Sequence, residues 1–190
     1  MNNNKLITNE KERKRVFYSL IVSVIMILFI GFLILENYLV LNILNFKSIR
    51  RYAGLIGQVA AYGFAVAISM YAVRRIAKLT FLNNFKKNIL MLAKILREWH
   101  VPISIISFSI ILFHAYIMLS RGIFVSLRYI SGILALLILT VQIISGIFRY
   151  KRIGIKFHKI AGILFIPYMA WLIFAGVLNY FVWWKNEMYI

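Results

Sequence analysis

Five long apolar runs restrict the folds open to this sequence. They cover about residues 17–41, 52–73, 101–119, 124–148 and 159–182. About 20 apolar residues in a helix cross a hydrocarbon core of roughly 30 Å, and backbone inside lipid must satisfy its own hydrogen bonds. With 63% hydrophobic residues, the sequence predicts an all-α integral membrane bundle with five transmembrane helices. Residues 1–190 are expected to form a single transmembrane domain.

The basic residues are distributed unevenly along a chain whose net charge is +18. Seventeen of the 23 Lys and Arg precede the first span or lie between spans two and three or four and five. Because positive charge collects on the cytoplasmic side, the N-terminus is predicted inside and the C-terminus outside the cell membrane. The charge indicates topology and attraction to the lipid membrane rather than to nucleic acid. The chain has no cysteine, which excludes thiolate metal sites and iron–sulfur clusters.

The segment before the third span alternates basic and apolar residues at helical spacing. It reads KKNILMLAKILREW from Lys86 to Trp99, and an amphipathic helix over about residues 84–99 is predicted in the cytoplasmic interface. Pro102 suits the first turn of the helix that follows, where its missing N–H costs little.

The three histidines are the candidate functional residues. His100 and His114 are fourteen residues apart, so they share one face of a continuous helix, about 21 Å apart along its axis. His158 opens the last helix, with Gly162 one turn later. His100 and His158 are expected at similar depth on parallel helices, which suits two axial ligands of a haem iron. Gly162 would leave room for the porphyrin.

Other residues complete this hypothesis or compete with it. Arg97, Lys156 and Lys159 are expected to pair with haem propionates. His114 lies deeper in the membrane, where a second haem, a hydrogen bond to a neighbouring helix, or a proton or quinone site are alternatives. Histidines near a membrane interface also need no function. Glu36, towards the outer end of the first span, is either a proton-handling group or a solvated or paired carboxylate.

The last three spans resemble two related families. The order of a basic segment, Trp99–His100, thirteen residues, His114 and a later histidine that opens a helix resembles the ferric-reductase-like transmembrane domain. The stretch with Gly132, Gln142, Arg149 and the His158–Gly162 pair resembles cytochrome b561, although Tyr129 stands where that pattern has another histidine. Over about residues 95–180, the resemblance implies a membrane b-type cytochrome.

The leading functional hypothesis is therefore single-electron transfer through a bis-histidine haem b, with one or two haems in the chain. The sequence has no nucleotide-binding motif, so a separate flavoprotein or a quinone is expected as redox partner. Whether the chain is an enzyme, for example a ferric-reductase-like oxidoreductase subunit, stays open. The alternative is a haem-free membrane transporter component or assembly factor, in which the histidines are structural or accept protons.

Overall fold

The computed structural model describes residues 9–39, 51–79, 85–120 and 127–187, together with Ile7 and Ile49. These residues form five helices: α1 (Glu10–Tyr38), α2 (Ala53–Ile76), α3 (Lys86–Leu119), α4 (Leu127–Tyr150) and α5 (Ile155–Glu187). Each helix contains a stretch long and apolar enough to cross a membrane. The predicted all-α membrane architecture with five spans is confirmed for this part of the chain.

The helices belong to two compact units, which are described separately. Residues 1–125 form the first unit, which contains α1, α2 and α3, and residues 126–190 form the second, which contains α4 and α5. In the first unit, α3 packs against both α1 and α2. In the second unit, α4 packs against α5.

Helices α1 and α3 run parallel, as contacts at two levels establish. At the first level, Arg15 Nη1 lies 2.8 Å from Glu98 Oε2, and the guanidinium sits 5.0 Å from the centre of the Trp99 ring. Further along, the rings of Phe29 and Phe113 lie 5.9 Å apart. The segment from Arg15 to Phe29 therefore runs beside the segment from Glu98 to Phe113, in the same direction.

The predicted interfacial helix does not form a separate element. Residues 86–99 are the first part of α3, which continues without a break to Leu119. Pro102 lies inside α3 and is buried, not in the first turn of a new helix as expected. Proline has no N–H, so the carbonyl of Glu98 lacks the helical hydrogen bond that residue 102 would otherwise donate. The helix continues despite the absence of this one hydrogen bond.

A short connection makes α4 and α5 antiparallel. Only residues 151–154 separate the two helices, and the N–H of Ile153 donates to the carbonyl of Phe148 at 3.1 Å. Arg152 and Gly154 have φ values of 59° and 65°, and glycine adopts this left-handed conformation at no steric cost. The turn reverses the chain immediately before His158.

Candidate functional site

His100 joins α3 to the backbone of α2. Its Nδ1 lies 2.8 Å from the carbonyl oxygen of Ala67, which is 2% exposed. Because a carbonyl oxygen only accepts, Nδ1 of His100 carries the hydrogen and donates it. A carbonyl has two lone pairs, so it accepts this bond in addition to the one within its own helix. The small side chain of Ala67 leaves the backbone within reach of the ring.

His114 makes the same type of contact at the N-terminus of α2. Its Nδ1 donates to the carbonyl of Ala53 at 2.8 Å, and Ala53 is 1% exposed. The ring lies against Gly57, where an added Cβ would be 2.8 Å from Cε1 and 2.9 Å from Nδ1 of His114. Ala53 and Ala67 are fourteen positions apart, as are His100 and His114. The two antiparallel helices are therefore joined in one register at two levels.

Ser107 lies midway between the two histidines and continues their stripe. It is 3% exposed, and an added Cβ at Gly63 of α2 would overlap its Oγ. The stripe thus repeats every seven residues, which is the spacing that keeps one side of a helix facing a partner in left-handed packing. Small residues let membrane helices approach closely, and here they provide the space for the polar side chains of α3.

His158 lies in the first turn of α5 and is joined to α4 by two hydrogen bonds. Its Nδ1 lies 2.9 Å from Oγ of Ser145, and its carbonyl accepts a 3.1 Å hydrogen bond from Nε2 of Gln142. A Cβ at Gly146 would be 3.3 Å from the ring. Within this unit, too, the imidazole packs over a glycine of the adjacent helix.

The space expected for a porphyrin beside Gly162 is filled by protein. A Cβ at Gly162 would lie 3.0 Å from Nε2 of Gln142, so this glycine accommodates the glutamine amide and not a macrocycle. His100 belongs to the first unit and His158 to the second.

The cations proposed as propionate partners are exposed. Arg97 lies on α3, and Lys156 and Lys159 lie on either side of His158 in α5. Glu36 is only 7% exposed on α1, which disagrees with a solvated carboxylate and leaves the proton-handling and paired alternatives as predictions. It is a buried carboxylate within a candidate span.

An apolar cleft lies beside Ser145 in the second unit. Its volume is about 230 Å³. The lining consists of residues from the end of α4, the connection and the start of α5: Val141, Ile144, Ser145, Phe148, Ile153, Gly154 and Phe157. The connection and the first two turns of α5 carry exposed cations at Lys151, Arg152, Lys156 and Lys159. An apolar surface beside several cations suits an amphipathic anion.

Two buried oxygens need a donor that the described residues do not provide. Neither Tyr71 Oη nor Gln142 Oε1 has a hydrogen-bond partner within the described part of the chain. Among the same residues, no group of three His, Cys, Asp or Glu side chains is placed to hold a metal ion. Gln142 therefore offers a free acceptor one turn from the cleft residue Ser145.

Sequence reasoning missed the partners of the histidines. Ala53 and Ala67 act through backbone carbonyls, which no side-chain motif reveals. Ser145 was also missed, although it lies three residues after Gln142 on the same helix. The available signal was the seven-residue spacing of His100, Ser107 and His114, which predicts a polar stripe buried against a neighbouring helix.

Comparison with known proteins identifies the family. The model of the TspO/MBR family matches residues 89–185, slightly more than half of the 190 residues. The match covers most of α3, all of α4 and nearly all of α5. All four tryptophans of the chain lie within it. Comparison with curated proteins gives no match, and comparison with solved structures gives none either.

This match overturns the resemblance on which the cytochrome hypothesis depended. The resemblance to the ferric-reductase-like domain and cytochrome b561 covered nearly the same residues, and it was wrong. Electron transfer through a bis-histidine haem b is likewise contradicted, and a separate redox partner is not supported. The misleading motif consisted of apolar residues and three histidines. Residues of both kinds also occur where membrane helices pack against one another. The chain belongs to the TspO/MBR family.

Proposed function

We propose that this chain binds an amphipathic small molecule of the porphyrin class in the membrane and does not transfer electrons. The proposal develops the haem-free alternative from the sequence, a membrane transporter component whose histidines are structural or accept protons. Membership of the TspO/MBR family supports ligand binding of this kind. Porphyrin here means a bound ligand, either metal-free or as haem, and not an axially ligated redox centre.

The observation that carries the proposal is the apolar cleft at the junction of α4 and α5. Phe148 and Phe157 contribute aromatic surface to it, which suits the face of a flat macrocycle. The volume of about 230 Å³ is smaller than the roughly 300–1,000 Å³ of pockets that enclose a drug-sized ligand. The cleft would therefore hold one edge of a porphyrin and leave the remainder in lipid.

The charges beside the cleft suit the carboxylates of such a ligand. Lys156 and Lys159 are exposed at the start of α5, where an ammonium group forms a charge-assisted hydrogen bond with a propionate. Ser145 lines the cleft, and its hydroxyl is held by hydrogen bonds with the carbonyl of Gln142 and with His158. In this proposal, His158 positions Ser145 and accepts a proton if the ligand delivers one.

Porphyrin titration of the full chain in nanodiscs tests this function. Protoporphyrin IX without metal and haemin are added separately, and binding is followed by porphyrin fluorescence or Soret absorbance. Both are expected to bind with similar Kd values, because the iron needs no ligand from the protein. Phe157→Ala and the double change Lys156→Glu with Lys159→Glu are each expected to weaken binding about tenfold, equivalent to about 1.4 kcal/mol.

Ile163→Ala provides the matched control, because Ile163 is exposed on α5 and does not line the cleft. It should leave Kd unchanged. Absence of porphyrin binding, or equal binding by all variants, would refute the proposed site.

We also propose the orientation that the charge asymmetry predicts, with the N-terminus in the cytoplasm and the C-terminus outside the cell membrane. The cleft would then lie on the cytoplasmic side. A phosphatase reporter fused after Ile190 should be active, and the same reporter inserted after Lys151 should be inactive. The opposite pair of activities would show that the chain has the reverse orientation.

A further inference from the structure

Helix α3 is longer than a membrane requires. Its 34 residues extend over about 51 Å at about 1.5 Å per residue, whereas the hydrocarbon core is about 30 Å thick. The apolar residues 101–119 are sufficient for the crossing. Trp99 precedes them at the position where tryptophan marks a membrane interface. Residues 86–98 therefore extend α3 beyond the hydrocarbon core, as part of the same continuous helix.

One face of this extension carries cations and is exposed. At about 100° per residue, five side chains fall within roughly 100° of one another. They are Lys86, Lys87, Leu90, Lys94 and Arg97, here called the cationic stripe, and all five are exposed. Leu90, in the middle of the stripe, is 51% exposed.

The neighbouring helices occupy other sides of α3. Ala93 is 4% exposed, and Glu98 is bound to Arg15 of α1. Glu98 is the one carboxylate in this part of α3; it pairs with Arg15, and Lys94 and Arg97 also lie close enough to lower the pKa of its carboxyl. The last turn of α2 adds Arg74 and Arg75 to the same unit. The stripe therefore keeps a strong positive field, which attracts polyanions.

We propose that the cationic stripe is a docking surface for an acidic polypeptide segment of a soluble partner. From Lys86 to Arg97 the stripe rises about 16 Å along the helix axis. The headgroup region adds only about 5–8 Å on each side of the hydrocarbon core. Arg97 and Lys94 are within reach of lipid headgroups, but Lys86 and Lys87 extend beyond them. A polypeptide that pairs carboxylates with the lysines and packs an apolar side chain on Leu90 fits the whole length.

A single cysteine reports where the stripe lies and what binds it. The chain has no cysteine, so Leu90→Cys in the full chain accepts one environment-sensitive fluorophore. In phosphatidylcholine nanodiscs, aqueous iodide should quench the label and nitroxide-bearing lipid should not. Leu164→Cys, exposed within the apolar span of α5, should show the reverse. Quenching of the label at position 90 by nitroxide lipid would place the stripe in the bilayer and overturn the proposal in favour of lipid binding.

The binding test uses a short poly-L-glutamate peptide as the probe. The label at position 90 should shift to the blue when the peptide is added. Lys87→Glu with Lys94→Glu should weaken peptide binding about tenfold or more. Lys11→Glu with Lys14→Glu, at exposed positions of α1, makes the same change in net charge and should have a much smaller effect. Equal losses in both double variants, or no binding to the unaltered chain, would show that the stripe is not a docking surface.

Discussion

The ring of His114 occupies the space that a side chain at residue 57 would need. An added Cβ at Gly57 would lie within 2.8–3.2 Å of three atoms of the imidazole, and Nδ1 of the same ring donates to the carbonyl of Ala53. A polar ring is costly in the apolar part of a membrane protein unless its hydrogen bonds are satisfied. The missing side chain of Gly57 is what permits that hydrogen bond.

Replacing Gly57 with alanine should lower stability. Overpacking of a well-packed contact typically costs about 1–3 kcal/mol, while alanine in place of glycine within a helix gains up to about 1 kcal/mol. The cost of overpacking should exceed the gain from alanine, because the atoms next to the new Cβ belong to a ring that is itself hydrogen bonded. The thermal unfolding midpoint in detergent measures the effect.

Gly54→Ala is the matched control, since an added Cβ at Gly54 meets no atom within 4 Å. This change should leave the midpoint unchanged or raise it. If both alanine variants behave alike, His114 does not pack on Gly57.

Gly63 and Ser107 should show coupled effects. Gly63→Ala alone should destabilise the protein, because the new Cβ overlaps Oγ of Ser107. Ser107→Ala removes that oxygen, so the double variant should recover part of the loss, with a coupling energy of about 0.5–3 kcal/mol for residues in contact. Additive losses in this cycle would rule out the contact between the two residues.

The two histidines of α3 should contribute independently. His100→Phe and His114→Phe each keep a ring but lose the hydrogen bond to α2, at an expected cost of about 0.6–1.7 kcal/mol each within a membrane. The rings lie about 21 Å apart along α3 and have different partners, so the double variant should show the sum of both losses. A double variant no less stable than either single variant would mean that the two rings act as one unit.

Gly162 provides a test in the second unit. Gly162→Ala should displace the amide of Gln142, because the added Cβ would lie 3.0 Å from its Nε2. The hydrogen bond from Gln142 to the carbonyl of His158 would then lengthen or break, and thermal stability should fall. Gly176→Ala on the same helix meets nothing within 4 Å and should have no such effect. If the two variants were equally stable, Gln142 would not pack against Gly162.

The number and type of the helices were predictable from the apolar runs, whereas the packing face of α2 was not. In the sequence, small residues recur every four positions at Ala53, Gly57, Ala61, Ala65 and Ser69, and this ridge predicts a packing face. Each step of four residues rotates by about 40° around the helix, so the ridge leaves the interface and Ala65 is exposed. The buried residues follow the 3.6-residue period and include Ala60 and Ala67.

The histidines were correctly singled out, but their roles were not. A sequence shows that His100 and His114 share a face, but not what that face meets. Their partners are main-chain carbonyls, which are present at every residue and become accessible only where side chains are small. The continuity of α3 through Pro102 could not be predicted either. The free-energy cost of one missing N–H is offset by packing contacts, which cannot be read from the sequence.

Imidazole NMR of the full chain in nanodiscs tests most directly whether the histidines of α3 join it to α2. The chain has only three histidines, so selective ¹⁵N labelling gives three sets of ring signals, which single substitutions assign. With ¹³C-labelled alanine carbonyls, Nδ1 of His114 should carry a hydrogen and show contact with the carbonyl of Ala53, as should Nδ1 of His100 with that of Ala67. Rings that are unprotonated at Nδ1, or that show no contact with an alanine carbonyl, would contradict the assignment of these histidines as helix-joining residues.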